Sequence, residues 1–239
     1  MTSHVTDQKY ITFRHRIHSN TTYNIPYSTS NTNFIQTITQ FPQSLEVIPP
    51  LAPTRPYFDY DNTILSSAFT HELRKQLHTT CLTTISQLFP STTVHTLDSS
   101  RAMSTTHYKF SFHFIVSNTI TTPTTIKELL LANNITLFDL SVYKKGEAYF
   151  RAPYCSKDDG YKLQYILDDF SPVPVDKLTK YGIQYTDLLV TYVNSSDNQL
   201  IDLNKPLNII DNLPPLSSIS QSSSQSPNHN KSDKSDKFL

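Results

Sequence analysis

The stretch HYKFSFHFIV, residues 107–116, alternates polar and aromatic side chains without a break. A two-residue period puts Tyr108, Phe110, Phe112 and Phe114 on one face of a strand and Lys109, Ser111 and His113 on the other. Four aromatic rings in a row need a covering layer, so this strand belongs to a sheet with one face packed against other elements. The opposite face lines up an ammonium, a hydroxyl and an imidazole. It is either a solvated surface with an ordinary histidine or a face built for a ligand.

The flanking sequence suggests the rest of the unit. The Pro-rich stretch Pro49, Pro50, Pro53 and Pro56 separates it from an N-terminal segment in which YITFRHRI looks like a strand. Residues 55–61 look like a short strand. Ile64, Ala68, Phe69, Leu73, Leu77, Cys81, Ile85 and Leu88 then recur at helical spacing, which predicts a helix over 64–89. A strand is expected at 92–97, a helix at 124–133 between Pro-Thr-Thr and Asn-Asn, and two strands at 135–143 and 147–154 joined by a turn at Lys145-Gly146. The sum is β-α-β-β-α-β with an added hairpin, an α+β fold of RRM-like or ferredoxin-like plan. Residues 217–239 are Ser-rich and nearly without apolar groups, so they are expected to be a disordered tail.

Composition removes several function classes. The 239 residues contain 3 glycines, and no glycine-rich phosphate loop of the Walker or Rossmann kind can be written with them. No apolar run approaches the about 18 residues of a membrane span, and MTSHVTDQKY lacks the layout of a signal peptide. A soluble intracellular protein with no membrane partner is expected. Cys81 and Cys155 form no CxxC zinc motif and read as free thiols. The formal charge of zero argues mildly against nucleic-acid binding by bulk electrostatics, although acidic metal ligands lower the net charge of any polymerase-like protein and a local cluster such as Lys144-Lys145 could still track a strand.

Three constellations carry possible chemistry. In PYFDYDN, Asp59 and Asp61 stand two apart on a strand, so both carboxylates project from one face. Such a pair repels unless a cation such as Mg²⁺ or Mn²⁺ sits between the two. Taken alone, the pair is more simply a strand that runs into a turn at Asp61-Asn62. Lys109, Ser111 and His113 would suit the oxygens of a triphosphate. Downstream, Asp139 could complete a three-carboxylate set, while Arg151 and Lys157 could converge on the same anion. Singly, Asp139 is a turn residue and Arg151 an exposed cation; it is their order after the first two elements that is informative.

The ordered set Asp59-x-Asp61, Ser111-x-His113 and Asp139, followed by Val142-Tyr143, Phe150-Arg151 and Ser156-Lys157, resembles the catalytic signature of the archaeo-eukaryotic primase superfamily. The likeness is greatest to the primase-polymerases and to the primase part of large-DNA-virus primase-helicases. It covers residues 55–157 and continues faintly to Asn194. The resemblance implies that Asp59, Asp61 and Asp139 hold two divalent metals, Mg²⁺ or Mn²⁺, and that Lys109, Ser111, His113, Arg151 and Lys157 contact the incoming nucleotide. It also implies an N-terminal αβ module, residues 1–50, packed on an RRM-like catalytic module, residues 51–216, with the active site between them. The expected partners are a single-stranded DNA template and an NTP or dNTP, with a replicative helicase or other replication protein reached through the tail. The expected reaction is template-directed nucleotidyl transfer in DNA replication. Extension of a primer is expected rather than unaided initiation, because no zinc module follows the core. Gly146-Glu147-Ala148-Tyr149 stands where family members often carry a further basic residue. Arg14 and Arg16 carry no assigned role, although either could reach a triphosphate if the two modules close.

Two other classes fit parts of the same pattern. Asp59, Asp61 and Thr63 match the DxDxT start of haloacid-dehalogenase-type phosphatases, although Asn62 replaces the usual Gly. An inactive RRM-like module would instead bind single-stranded nucleic acid through aromatics on its open face.

Overall fold

The computed structural model describes residues 10–15 and 21–193; Arg16, Asn194 and the Ser-rich segment 217–239 lie outside them. Along the chain run β1 (Tyr10–His15), β2 (Thr22–Pro26), α1 (Asn31–Gln40), β3 (Ser44–Ile48), β4 (Tyr57–Leu65), α2 (His71–Leu88), β5 (Val94–Asp98), β6 (Arg101–Ala102), β7 (His107–Val116), α3 (Pro123–Ala132), β8 (Ala148–Arg151) and β9 (Gln164–Tyr165). The fold is α+β. One antiparallel sheet has the order β2-β1-β3-β8; the other has the order β4-β7-β5-β9, with β6 also on β7.

The second sheet is built on β7, whose alternation sets the register of everything around it. Phe58 lies opposite Phe114, Tyr60 opposite Phe112 and Ile64 opposite Tyr108, so β4 and β7 share one apolar face. That face is covered by α2, where His78 sits 5.5 Å from Phe112 and 5.7 Å from Phe114. Phe89 and Phe138 close on Phe58 at 5.9 and 4.8 Å. Phe58, Phe110, Phe112 and Phe114 have no exposed surface at all, and burial of each ring stabilises the fold by roughly 1.5–3 kcal/mol.

The start of α2 differs from the expected helix over 64–89. Ile64 stays in β4, paired with Tyr108, and the helix begins only after Thr70, whose hydroxyl accepts from the Leu73 amide at 3.0 Å. A side-chain cap of this kind satisfies an otherwise unpaired first-turn donor and fixes the boundary. Leu77, Cys81, Ile85 and Leu88 then make the buried stripe.

The expected hairpin over 135–154 is not formed. Residues 135–143 contain no strand; instead Asp139 caps a single 3₁₀ turn, Leu140–Val142, by accepting from the Ser141 amide. An Asp followed two residues on by a Ser amide competes with sheet pairing for the backbone. One backbone hydrogen bond does tie this segment to β4, from the Asp139 amide to the Asp59 carbonyl at 2.8 Å. Residues 148–151 do form a strand, but β8 pairs with β3 in the first sheet, Leu45 opposite Arg151. That sheet is therefore not made from residues 1–50 alone. It also brings Phe150 onto the polar face of β7, with its ring 4.2 Å from that of His113.

Candidate active site

Antiparallel pairing turns the two-residue period of β4 into a set of opposed pairs with the polar face of β7. Asp59 stands opposite His113, Asp61 opposite Ser111, and Thr63 opposite Lys109. Residues directly opposite share a face, so all six side chains project to the same side of the sheet. Lys109 reaches diagonally and its Nζ lies 2.6 Å from Asp61 Oδ2.

This face is covered at its Asp59, Ser111 and His113 end, while Asp61 and Thr63 are exposed. Ser111 and His113 are buried, and Arg151, on β8, is 4% exposed. The Arg151 guanidinium donates to Ser99 Oγ at 2.7 Å, and Ser99 Oγ in turn donates to Ser111 Oγ at 3.1 Å. A charge so deeply placed needs anions nearby. Burial lowers the Arg151 pKa, while the Asp59 and Asp61 carboxylates act to hold it charged. Lys157, half-buried, behaves alike: burial and the neighbouring Arg151 and Lys109 lower its pKa, and Asp61 and Asp59 oppose them.

Asp59 is the most perturbed acid of the set. Burial raises its pKa, the carboxylates of Asp61 and Asp139 raise it further, and Lys157 and Arg151 pull the other way. Its Oδ1 is buried without a hydrogen-bond donor, with His113 Nε2 at 3.4 Å. That contact is not a charged pair. Burial, then the cations Arg151, Lys157 and Lys109, hold His113 well below its ordinary value, so the ring is neutral, and its Nδ1 also lacks a partner.

The residues singled out from sequence are thus gathered in one place. Asp59, Asp61, Lys109, Ser111 and His113 lie on facing strands, Arg151 bridges to them through Ser99, and Asp139 and Lys157 act electrostatically on Asp59. Asp139 differs in one respect, because both its oxygens are occupied by Ser141, accepting from its amide at 2.8 Å and its hydroxyl at 2.7 Å. Among the described residues, no three His, Cys, Asp or Glu side chains converge tightly enough to hold a metal as they stand. The donor chemistry nonetheless fits a hard divalent cation. An unpartnered buried carboxylate oxygen lies beside a second carboxylate, and oxygen ligands are what Mg²⁺ and Mn²⁺ take.

Arg101 was not legible as a site residue. It lies opposite Lys109 on β7, donates to the Ser99 carbonyl at 3.0 Å and pairs with Asp159. Its signal lies in the continued two-residue step Leu97, Ser99, Arg101, which the break between β5 and β6 conceals. Arg14 stacks over Tyr149 at 4.9 Å and hydrogen-bonds its hydroxyl. No family model matches the chain, and no curated protein matches it. No helix among the described residues is long and apolar enough to cross a membrane.

Proposed function

We propose that this chain is a template-directed nucleotidyl transferase of the primase and primase-polymerase kind. The observation that carries the reading is the pair Asp59 and Asp61, held on one strand directly opposite His113 and Ser111, with an unpartnered carboxylate oxygen at the buried end. A buried acid whose neighbours are two more carboxylates and two cations, with Lys109 on the second carboxylate, suits a site that receives a cation and a polyphosphate together. The strand order supports an RRM-like catalytic module. β4, β7 and β5 are adjacent in that order, α2 and α3 occupy the two crossovers, and the Asp139 amide joins the outer side of β4 where a fourth strand would run. Placement of the site between the two sheets is favoured by Phe150 and Arg151, which reach it from β8.

A divalent cation held by Asp59 and Asp61, and by Asp139 once it leaves Ser141, would lower the pKa of the attacking 3′-hydroxyl and offset charge at the transferred phosphoryl group. The chain's own residues do the remainder. Lys109, Arg151 and Lys157 bind the triphosphate oxygens, Lys109 exchanging its Asp61 partner for phosphate. Neutral His113 donates a hydrogen bond from one ring nitrogen, its plane fixed by Phe150. Ser111 positions a phosphate oxygen through its hydroxyl, and Ser99 sets the Arg151 fork.

The test is labelled-nucleotide incorporation on a single-stranded DNA template, with and without primer, in Mg²⁺ or Mn²⁺. Incorporation by the parent and its loss in Asp59→Ala/Asp61→Ala are the expected results. Hydrolysis of a generic phosphate ester in place of incorporation would move the pair to phosphatase chemistry. Template binding without either activity would leave a nucleic-acid-binding module.

A further inference from the structure

Beside the candidate site the chain makes a hairpin whose tip carries one cation and one aromatic ring. Ser156 and Lys162 form an antiparallel bridge, and the Leu163 amide donates to the Cys155 carbonyl at 3.0 Å. One step further into the hairpin stand Lys157 and Tyr161. The turn between them is closed by the Gly160 amide on the Lys157 carbonyl at 3.0 Å, and Gly160 has φ +78, a conformation that favours glycine.

Tyr161 is 48% exposed, yet its backbone is fixed at both the amide and the carbonyl and its ring rests on one partner. Its amide donates to Asp159 Oδ1 at 3.2 Å, and its carbonyl accepts from Arg151 Nη1 at 3.4 Å. One face of the ring is backed by the Arg101 guanidinium, 5.0 Å from the centroid. Arg101 is itself 7% exposed and fixed by Asp159 and the Ser99 carbonyl. Ordering an aromatic side chain while leaving much of it in water gains the fold little. A ring with a buried cation behind it and solvent in front is instead suited to a second flat π system on its outer face.

We infer that Tyr161, backed by Arg101, is the stacking platform for a nucleobase at this site. The inference rests on the nucleotidyl-transfer reading and adds a binding residue to it. Lys157 and Tyr161, at the two ends of one turn, then divide a nucleotide between them, with polyphosphate on the cation and base on the ring. The base can come from the incoming nucleotide or from a bound single strand, since both present the same flat face.

The experiment is equilibrium binding by the full chain in Mg²⁺ to three probes: dATP, inorganic tripolyphosphate, and a fluorescein-labelled oligothymidylate of about a dozen residues. The variants are Tyr161→Ala, Tyr161→Phe and Tyr161→Leu, the last keeping apolar bulk without a π face if alanine disturbs folding. A loss of about tenfold for dATP in the alanine and leucine variants is expected. Tripolyphosphate binding should be unchanged and Tyr161→Phe should retain parent affinity; together these place the base of the incoming nucleotide on the ring. The same loss confined to the oligothymidylate assigns the ring to the strand. Equal loss in Tyr161→Phe would overturn stacking in favour of the hydroxyl. Unchanged binding of all probes by every variant would overturn the inference while leaving the transferase reading standing. A parent chain that binds none of the three would remove both.

Discussion

Two carboxylates, Glu46 on β3 and Asp59 on β4, are buried by the same fold and end in opposite conditions. Burial is the leading cause of a raised pKa in each. Around Glu46 the protein supplies the answer. The Val190 amide, the Thr191 amide and the Thr191 hydroxyl donate to its two oxygens at 3.2, 3.0 and 2.9 Å. Every remaining influence on Glu46, Arg55 included, favours its ionised form. Around Asp59 the neighbours make matters worse, since Asp61 and Asp139 add repulsion and Oδ1 finds no donor. An acid satisfied from within pins a chain segment, here residues 190–191, onto the first sheet. An acid left unsatisfied has an oxygen to offer to a partner from outside the chain.

The strongest way to break that contrast is to remove each acid and ask what is lost. Asp59→Ala/Asp61→Ala should lower nucleotide incorporation by roughly a thousandfold or more, the scale on which preorganised charge is lost at a reacting phosphate. The thermal midpoint should stay the same or rise, because like-charge repulsion is relieved. Glu46→Ala should do the reverse. Three donors would be left buried and unpaired, costing about 3–5 kcal/mol of stability, with incorporation per folded molecule retained. Equal destabilisation by the two changes, in chemical denaturation, would erase the distinction.

How far the sequence led can be judged from the same two strands. β7 was legible to the residue because its polar and aromatic faces alternate without interruption, whereas the register that sets Asp59 opposite His113 and Asp61 opposite Ser111 was not. β3 was not, since Glu46 sits in the middle of SLEVI on a face where an apolar residue would be expected. Helix α1 was hidden as well; in NTNFIQTITQ only Phe34 and Ile38 are buried, a single i, i+4 pair among polar residues. Ile64 joined the helical stripe by coincidence of spacing, and only its pairing with Tyr108 reveals the strand. The placement of β8 beside β3 depends on contacts about a hundred residues apart in sequence, which local pattern does not encode. Tyr161 was missed for the same reason, because its place comes from Asp159 and Arg151, and Arg101 was missed because the break between β5 and β6 conceals the two-residue step that leads to it.

A smaller effect sharpens the contrast through pH. Glu46 has an ordinary value of 4.5 and is pushed up to about 7 in the folded chain. Below the lower value it is neutral in both states and its stabilising contribution is whole. As pH rises through the folded value the native state must ionise a buried group, and that contribution is lost. The size is at most on the order of 3 kcal/mol, from 1.36 kcal/mol per unit. His78, His95 and His113, all lowered by burial, act in the other sense and weaken the fold as pH falls. The difference between parent and Glu46→Gln isolates the acid. On going from pH 8 to pH 5 the parent's urea midpoint should gain more, or lose less, than that of the variant, in which the histidine effect stands without the Glu46 contribution; an identical change in both would show that Glu46 stays charged.

The smallest effect bears on Asp59 alone. If its orphaned oxygen marks a cation site, Mg²⁺ or Mn²⁺ binds the folded chain and not the unfolded one. At ten times the dissociation constant that stabilises by about 1.4 kcal/mol, or a rise of a few degrees in thermal midpoint for a domain of this size. Glu46→Gln should keep the whole rise, whatever its starting midpoint, because its oxygens lie among the residue 190–191 donors and not beside Asp61. Asp59→Asn/Asp61→Asn should abolish it while raising the cation-free midpoint. Asp139→Asn should reduce it only if Asp139 leaves Ser141 to join the cation, so the cation-dependent shift in that variant measures whether the 3₁₀ turn opens on binding. A shift that survives in Asp59→Asn/Asp61→Asn would place the cation elsewhere and leave Asp59 as a second structural acid, poorly solved beside Glu46.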